Sequence, residues 1–175
     1  VALQGVIESR AWMTTLAPAH VRDDVHAMIA ALREAVRSAD AVVLSGGVSM
    51  GHRDAVRDAV EAIGARVVFH GLPQRPGKPM LGAVYARERG AIPIFGLPGN
   101  PISAMVTCER IVLPVLATCA GRVEGHRARA VPLGAHDGKS LDLWWHRMVR
   151  INESGVAELV DGRGSGDIIA AGRAD

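Results

Sequence analysis

Residues 41–51 read AVVLSGGVSMG, a short apolar run that ends in a turn rich in glycine and serine. The run is brief and β-branched, which is typical of a strand buried in a parallel sheet. Glycines let the backbone approach a ligand closely, and successive N–H groups in such a turn can converge on an anion. A tight strand-to-helix turn explains the same glycines equally well. The candidate anion contacts in this turn are Ser45, Gly46, Gly47, Ser49 and Gly51.

The segments around this turn alternate between helical and strand patterns. Apolar side chains from Val25 to Val36 recur at helical spacing, and Asp23 or Asp24 is placed to cap that helix. Such alternation predicts an α/β domain with a mostly parallel sheet and helices on both faces. The predicted helices are 23–40, 53–63 and 100–120, the last with a kink at Pro114. The predicted strands are 41–44, 66–69, 80–86 and 91–95.

A second loop, RPGKP at residues 75–79, combines two prolines with two basic side chains. Arg75 can offer a planar fork to a phosphate, and Lys78 supplies a compact charge. Gly77 lies between them, and the prolines limit the entropy that the loop loses on binding a ligand. An exposed loop whose charges meet only water is the simpler alternative.

The third loop, LPGNP at residues 97–101, joins a predicted strand to a predicted helix. Pro98 and Gly99 precede Asn100, a good N-cap for a helix that starts at Pro101. Ligands of open α/β sheets bind beyond the carboxyl ends of strands, so this loop is a candidate site. A well-made helix start explains the residues at least as well.

Two aspartates near helix starts are candidate metal ligands. Asp54 follows the glycine-rich turn, and Asp23 opens the helix before it. Mg²⁺ prefers one or two carboxylates together with substrate oxygens. Stabilisation of the helix dipole is the commoner use of such an aspartate, and it explains each residue taken singly.

The composition of the 175 residues limits the classes of function. Twenty Lys and Arg against 18 Asp and Glu give a formal charge of +2, which argues against a general nucleic-acid binder. No apolar run reaches the roughly 18 residues of a membrane span, and no signal-peptide pattern is found. We therefore expect a cytoplasmic protein without a nucleic-acid or membrane partner. An ordinary ATP or NAD enzyme is not expected either, because neither GxxxxGK[ST] nor GxGxxG occurs.

The character of the sequence changes after Gly121. The runs at 128–133, 141–151 and 156–160 are typical of strands without intervening helices. We therefore predict an α/β domain over 1–121 and a separate β domain over 127–175. Trp144 and Trp145 are adjacent in a predicted strand and must point to opposite faces. One is expected in the core of the second domain, and the other at an interface or on a partly covered surface.

Taken together, these loops resemble the motifs of the molybdopterin molybdenumtransferase family, which includes bacterial MoeA proteins and the E domain of gephyrin. The matching stretches are 45–51 with Asp54, then 76–79, 97–101 and GSGD at 164–167. The resemblance extends from about residue 21 to the end of the chain. It implies a three-layer molybdopterin-binding domain over 1–121, incomplete at its N-terminus, followed by part of a small C-terminal β domain.

The resemblance also implies an enzyme of molybdenum cofactor biosynthesis. Such enzymes insert molybdate into adenylylated molybdopterin and release AMP, with Mg²⁺ or a similar ion assisting. Asp54 and Asp23 match acidic positions of the family, which implies catalytic acids or metal ligands. Arg75, Lys78 and Ser165 match positions that imply anion contacts. A homodimer is expected by resemblance, and the molybdopterin adenylyltransferase is a candidate partner.

Departures from the family pattern leave alternatives open. The family's Thr-Gly-Asp-Glu loop is absent, and residues 1–19 do not replace it. The chain therefore resembles an internal fragment, and we expect little or no transferase activity from it alone. A catalytically inactive molybdopterin-binding or scaffold module is the alternative function. A stand-alone binding domain of the adenylyltransferase type is disfavoured by the β segment after Gly121.

Overall fold

The computed structural model describes residues 2–48, 55–88, 90–122, 130–160 and 167–174. The strands are β1 (Val42–Ser45), β2 (Arg66–His70), β3 (Gln74–Arg75), β4 (Leu81–Ala86), β5 (Ala91–Leu97), β6 (Trp144–Trp145), β7 (Val149–Ile151) and β8 (Ala157–Leu159). The helices are α1 (Ala2–Glu8), α2 (Val25–Ser38), α3 (Ala55–Ala62), α4 (Pro101–Thr107), α5 (Leu113–Cys119) and α6 (Ile168–Ala171). A π-helical turn, Cys108–Val112, joins α4 to α5.

Four strands form the central sheet in the order β1-β5-β4-β2. β1 and β5 are parallel, whereas β4 is antiparallel to both of its neighbours. Three of the four strands therefore run the same way, which agrees with the predicted mostly parallel sheet. β4 is reversed because only residues 87–90 separate it from β5, too few for the crossover that a parallel pair requires.

Alternate side chains of β5 enter two separate cores. Ile92 and Ile94 pack against α2 and α3 on one face of the sheet, in a cluster that includes Val60. Phe95 and Leu97 lie on the other face with residues of α4, the π-helical turn and α5. Helices therefore cover both faces, and the predicted three-layer architecture is confirmed.

The N-terminal residues form a helix that the sequence analysis did not predict. Leu3, Val6 and Ile7 of α1 pack against the second core. Arg10 anchors the following turn through a salt bridge with Glu109 of the π-helical turn, at 2.9 Å. This segment thus belongs to the helix layer on that face of the sheet.

The other helix boundaries follow local capping signals. Asp24, rather than Asp23, caps α2, and its carboxylate accepts a hydrogen bond from the Ala27 N–H at 2.8 Å. Gly64 follows α3 with a φ of +87°, as expected for the residue that ends a helix.

The predicted kink at Pro114 coincides with the π-helical turn just before it. Proline lacks the N–H that a regular helix needs, and one wide turn accommodates the break. The stretch Pro101–Cys119 has the length and hydropathy of a membrane span. Its side chains Cys108 and Val112 are fully buried in the second core.

The C-terminal part contains short strands in two small sheets. The predicted strand 141–151 is divided, because β6 pairs in parallel with β3 whereas β7 pairs antiparallel with β8. In the described part of the predicted strand 128–133, Leu133 forms a single bridge with Ala157. Trp144 is 74% exposed and Trp145 is half-buried, so neither lies in a core, and the prediction of one core tryptophan is wrong.

Candidate functional site

The glycine-rich turn after β1 and the LPGNP loop after β5 are in direct contact. The two strands are parallel neighbours, so their carboxyl ends meet at one edge of the sheet. The Gly46 N–H donates to the Leu97 carbonyl at 3.0 Å, and Ser45 Oγ donates to the Pro98 carbonyl at 3.3 Å. A Cβ on Gly99 would lie 3.4 Å from Gly46 Cα. We call this contact between residues 45–47 and 97–100 the loop junction.

The backbone of the loop junction requires glycine on the β1 side. Gly46 and Gly47 have φ values of +91° and +71°, in the left-handed region. A Cβ on Gly47 would also lie 2.9 Å from Val56 Cγ2 in α3. Conformation therefore favours glycine at both positions, and at Gly47 packing excludes a side chain as well.

The helix that follows β5 begins at the loop junction. The Asn100 side chain accepts a hydrogen bond from the Ser103 N–H at 3.4 Å, and Pro101 occupies the first helical position. This confirms the predicted N-cap. The N-terminal end of a helix is the positive end of its dipole, which favours an anion such as a phosphate. At this helix start Pro101 has no N–H, and the Ser103 N–H already donates to Asn100, so the dipole is the main attraction.

The RPGKP loop packs on α4 as well, at Thr107 near the end of that helix. Gly77 is buried with a φ of +96°, and a Cβ there would lie 2.3 Å from Thr107 Cγ2. The same Cβ would lie 2.8 Å from Gln74 Nε2, an amide that is itself buried without a hydrogen-bond partner in the described part of the chain. The Leu72 N–H donates to the Lys78 carbonyl at 2.8 Å and closes the loop. α4 thus connects the RPGKP loop to the loop junction.

The basic side chains of this loop are available to solvent. Arg75 and Lys78 are exposed, and among the residues that the structure describes neither forms a salt bridge. Asn100 and Thr107 are seven residues apart on α4, which corresponds to roughly 10 Å along the helix. The loop junction and the part of the RPGKP loop that packs on Thr107 are therefore about two turns apart along this helix.

The C-terminal segment is attached to the RPGKP loop. The Trp144 N–H donates to the Pro73 carbonyl at 2.9 Å, and the His146 N–H donates to the Arg75 carbonyl at 2.7 Å. The Trp145 ring then lies 5.7 Å from the Arg75 guanidinium, measured to the ring centroid. One of the two tryptophans was expected in the core of the second domain and the other at an interface or on a partly covered surface, whereas the structure places Trp145 beside Arg75 of the RPGKP loop.

Arg147 lies on the same ring, with its guanidinium 4.3 Å from the Trp145 centroid. It also forms two hydrogen bonds with Asp137, at 2.9 and 3.3 Å. These hydrogen bonds hold the pKa of the Asp137 carboxyl well below its usual range. Trp145, Arg147 and Asp137 were all missed from the sequence, where the only signal is an aromatic pair followed by His146 and Arg147.

The predicted acidic residues are only partly described. Asp23 is exposed, and its helix lies beside the loop junction, since Met28 Cε would be 4.0 Å from a Cβ on Gly47. Over the described ranges, no group of three or more His, Cys, Asp or Glu is arranged around a metal position. The predicted contacts that lie outside the described residues are Asp54, Ser49, Gly51 and Ser165.

These features define an α/β domain in which two glycine-containing loops meet at the carboxyl ends of the parallel strands β1 and β5. Residues 6–118 match a family model described as a probable molybdopterin binding domain. The chain belongs to this family of molybdopterin-binding domains, and the resemblance seen in the loops is confirmed.

Relatives and a solved structure agree with this assignment. The molybdopterin molybdenumtransferase of Nostoc sp. is 35% identical over 147 residues, which cover 81% of this chain and 31% of that protein. The molybdopterin molybdenumtransferase of Synechococcus elongatus is 37% identical over 128 residues, which cover 73% and 31%. The molybdopterin biosynthesis moeA protein of Pyrococcus horikoshii OT3 shares the fold, with a TM-score of 0.72 at 20% identity, over 99% of this chain and 38% of that one. The chain thus spans about a third of the length of these proteins.

Proposed function

We propose that this chain is the ligand-binding part of a molybdenum-inserting transferase, in which molybdate enters adenylylated molybdopterin and AMP is released. The observation that carries the proposal is the arrangement of three loops on one helix. The loop junction lies at the start of α4, and the RPGKP loop packs on Thr107 of the same helix. The names of the similar proteins support the same reaction.

The two ends of the site suit different parts of such a ligand. Adenylylated molybdopterin carries phosphates as well as the dithiolene that receives molybdate, so it needs anion contacts at more than one place. In the proposal, the backbone of the loop junction and the start of α4 hold phosphate oxygens. Arg75 and Lys78 then hold a second anionic group at the RPGKP loop, which packs on Thr107, about 10 Å along the helix from Asn100. The residues assigned to the loop junction are Ser45, Gly46, Gly47, Pro98, Gly99 and Asn100, and Gly77 supports the RPGKP loop.

Asp23 and Asp54 are proposed to hold Mg²⁺ beside the phosphates. When bound, Mg²⁺ would neutralise the charge that develops as the phosphoanhydride breaks. The exposed carboxylate of Asp23 suits a hard cation that prefers oxygen ligands. Ser49, Gly51 and Ser165 complete the proposed anion contacts.

The family resemblance also motivates the assembly and the location. We propose a homodimer that acts in the cytoplasm and receives its substrate from the molybdopterin adenylyltransferase. A binding or scaffold module without transferase activity is the second candidate.

Calorimetry with adenylylated molybdopterin, Mg²⁺ and molybdate tests the proposal on the 175-residue chain. Lys78→Ala removes a charged contact and should weaken binding about tenfold or more. Lys139→Ala is the matched control, since Lys139 is the only other lysine and is exposed near Asp137. Asp54→Ala should weaken binding only when Mg²⁺ is present.

The outcomes separate the two candidates. Binding that Asp54→Ala weakens only in the presence of Mg²⁺ supports the ligand-binding part of a transferase, whether or not the chain alone releases AMP. Binding that depends on neither Mg²⁺ nor Asp54 supports the binding module. If a folded wild-type chain does not bind the ligand, both proposals are wrong.

A further inference from the structure

We propose that Trp145 is a positioning residue for Arg75, so that the C-terminal segment helps to build the anion site of the RPGKP loop. This inference rests on the proposed function, because it concerns the same loop. It adds a residue and a role that neither the loop motifs nor the family match assigns.

The first observation is the position of the indole ring. Its centroid lies 5.7 Å from the Arg75 guanidinium carbon and 4.3 Å from that of Arg147. Both distances are within the roughly 6 Å over which a ring attracts a cation. A half-buried Trp145 therefore contacts an otherwise exposed Arg75.

The second observation is that the two arginines differ in whether a carboxylate balances their positive charge. The charge of Arg147 is balanced by Asp137, which accepts two hydrogen bonds from it. Within the described ranges Arg75 has no carboxylate partner. An indole can orient a guanidinium without neutralising it, whereas a carboxylate would compete with an incoming anion. Trp145 therefore fixes Arg75 in a way that leaves its positive charge for a ligand.

The third observation is the backbone pairing of β3 with β6. Arg75 lies opposite Trp145 in the register, and the Arg75 carbonyl accepts a hydrogen bond from the His146 N–H at 2.7 Å. The main chain and the side chain of Arg75 are thus both held by the C-terminal segment. A long exposed side chain loses rotamer freedom when it binds an anion, and prior positioning reduces that loss.

Binding of sodium molybdate to single and double variants tests the role of the ring. Trp145→Leu should weaken binding about two- to fivefold, whereas Trp145→Phe should retain most of the affinity because it keeps an aromatic face. Trp144→Leu is the matched control, since Trp144 is 74% exposed and should leave the affinity unchanged. In an Arg75→Ala background, Trp145→Leu should have no further effect.

A nuclear magnetic resonance measurement separates positioning from general damage to the fold. The Arg75 Nε–Hε resonance should show a ring-current displacement in the wild type and in Trp144→Leu, and lose it in Trp145→Leu. Unchanged molybdate affinity in Trp145→Leu, or an Arg75 resonance that does not respond, would overturn the inference. If the wild type binds neither molybdate nor adenylylated molybdopterin, the proposed function fails, and the Arg75 resonance alone decides whether Trp145 positions that side chain.

Discussion

Gly77→Ala should destabilise the protein strongly, because the RPGKP loop has no room for a methyl group. Gly77 has a φ of +96°, and a Cβ would lie 2.3 Å from Thr107 Cγ2 and 2.8 Å from Gln74 Nε2. Left-handed backbone costs an alanine about 1–2 kcal/mol, and overpacking of a dense site costs about 1–3 kcal/mol more. The free energy of unfolding should therefore fall by about 2–5 kcal/mol. For a chain of this size the melting temperature would fall by about 4–20 °C.

Two further variants separate the two causes. Gly64→Ala places a side chain at a φ of +87° where no atom lies within 4 Å, so it should show the backbone cost alone, about 1–2 kcal/mol. Thr107→Ser removes the methyl group that the new Cβ would meet, and its hydroxyl can still donate to the Ser103 carbonyl as Thr107 Oγ1 does at 2.8 Å. The damage from Gly77→Ala should therefore be smaller in the Thr107→Ser background.

Thermal unfolding followed by circular dichroism gives the four values of this double-mutant cycle. The clash between the new methyl group at position 77 and Thr107 Cγ2 predicts a coupling energy of about 1–3 kcal/mol between positions 77 and 107. Equal losses in Gly77→Ala and Gly64→Ala, with no coupling to Thr107→Ser, would refute it. The RPGKP loop would then not depend on close packing against α4.

Three other predictions follow from buried groups. Burial raises the pKa of the Cys108 thiol to about 11, whereas Cys119 is exposed, so a disulfide reagent should modify one thiol in the native protein and none in Cys119→Ser. Gln74→Met removes a buried amide donor without a partner and should raise the free energy of unfolding by about 1 kcal/mol in urea titrations, whereas a loss would show that the amide is satisfied. Burial and the nearby Arg110 lower the pKa of His146 from its ordinary value of 6.5, so the folded state resists protonation. The contribution of neutral His146 to the free energy of unfolding should be fully present above pH 6.5 and should be lost as the pH drops below it. In His146→Gln, the melting temperature should therefore change less between about pH 7.5 and 5 than in the wild type.

The parts of the fold that were predicted correctly depend on local signals. The helix start at Asn100 and Pro101 needs only a capping side chain and a fixed φ, both of which are visible in five residues. The three-layer architecture follows from the alternation of helices with buried strands. The contact between residues 45–47 and 97–100 was not predicted, because it depends on β1 and β5 being neighbours in the sheet, which the pattern of either strand does not indicate.

The features that were missed depend on partners far away in the sequence. α1 is a seven-residue helix, too short to be stable alone, and it is held by apolar contacts and by the salt bridge between Arg10 and Glu109. β3 and β6 have two residues each, so no periodicity could identify them. The position of Trp145 beside Arg75 follows from the pairing of β3 with β6. The spacing of residues within either segment therefore could not predict it.

The helix from Pro101 to Cys119 explains why a site made of distant segments can act as one unit. Its first turns carry the loop junction, and Thr107 supports the RPGKP loop. In the π-helical turn, Glu109 binds the N-terminal Arg10, and Arg110 is near enough to His146 to lower its pKa. A π-helical turn widens the helix and rotates the side chains that follow it, so it can direct neighbouring residues toward different segments. The N-terminal helix, the loops and the C-terminal segment therefore all depend on this one helix, and the proposed anion site is a property of their assembly on it rather than of any single loop.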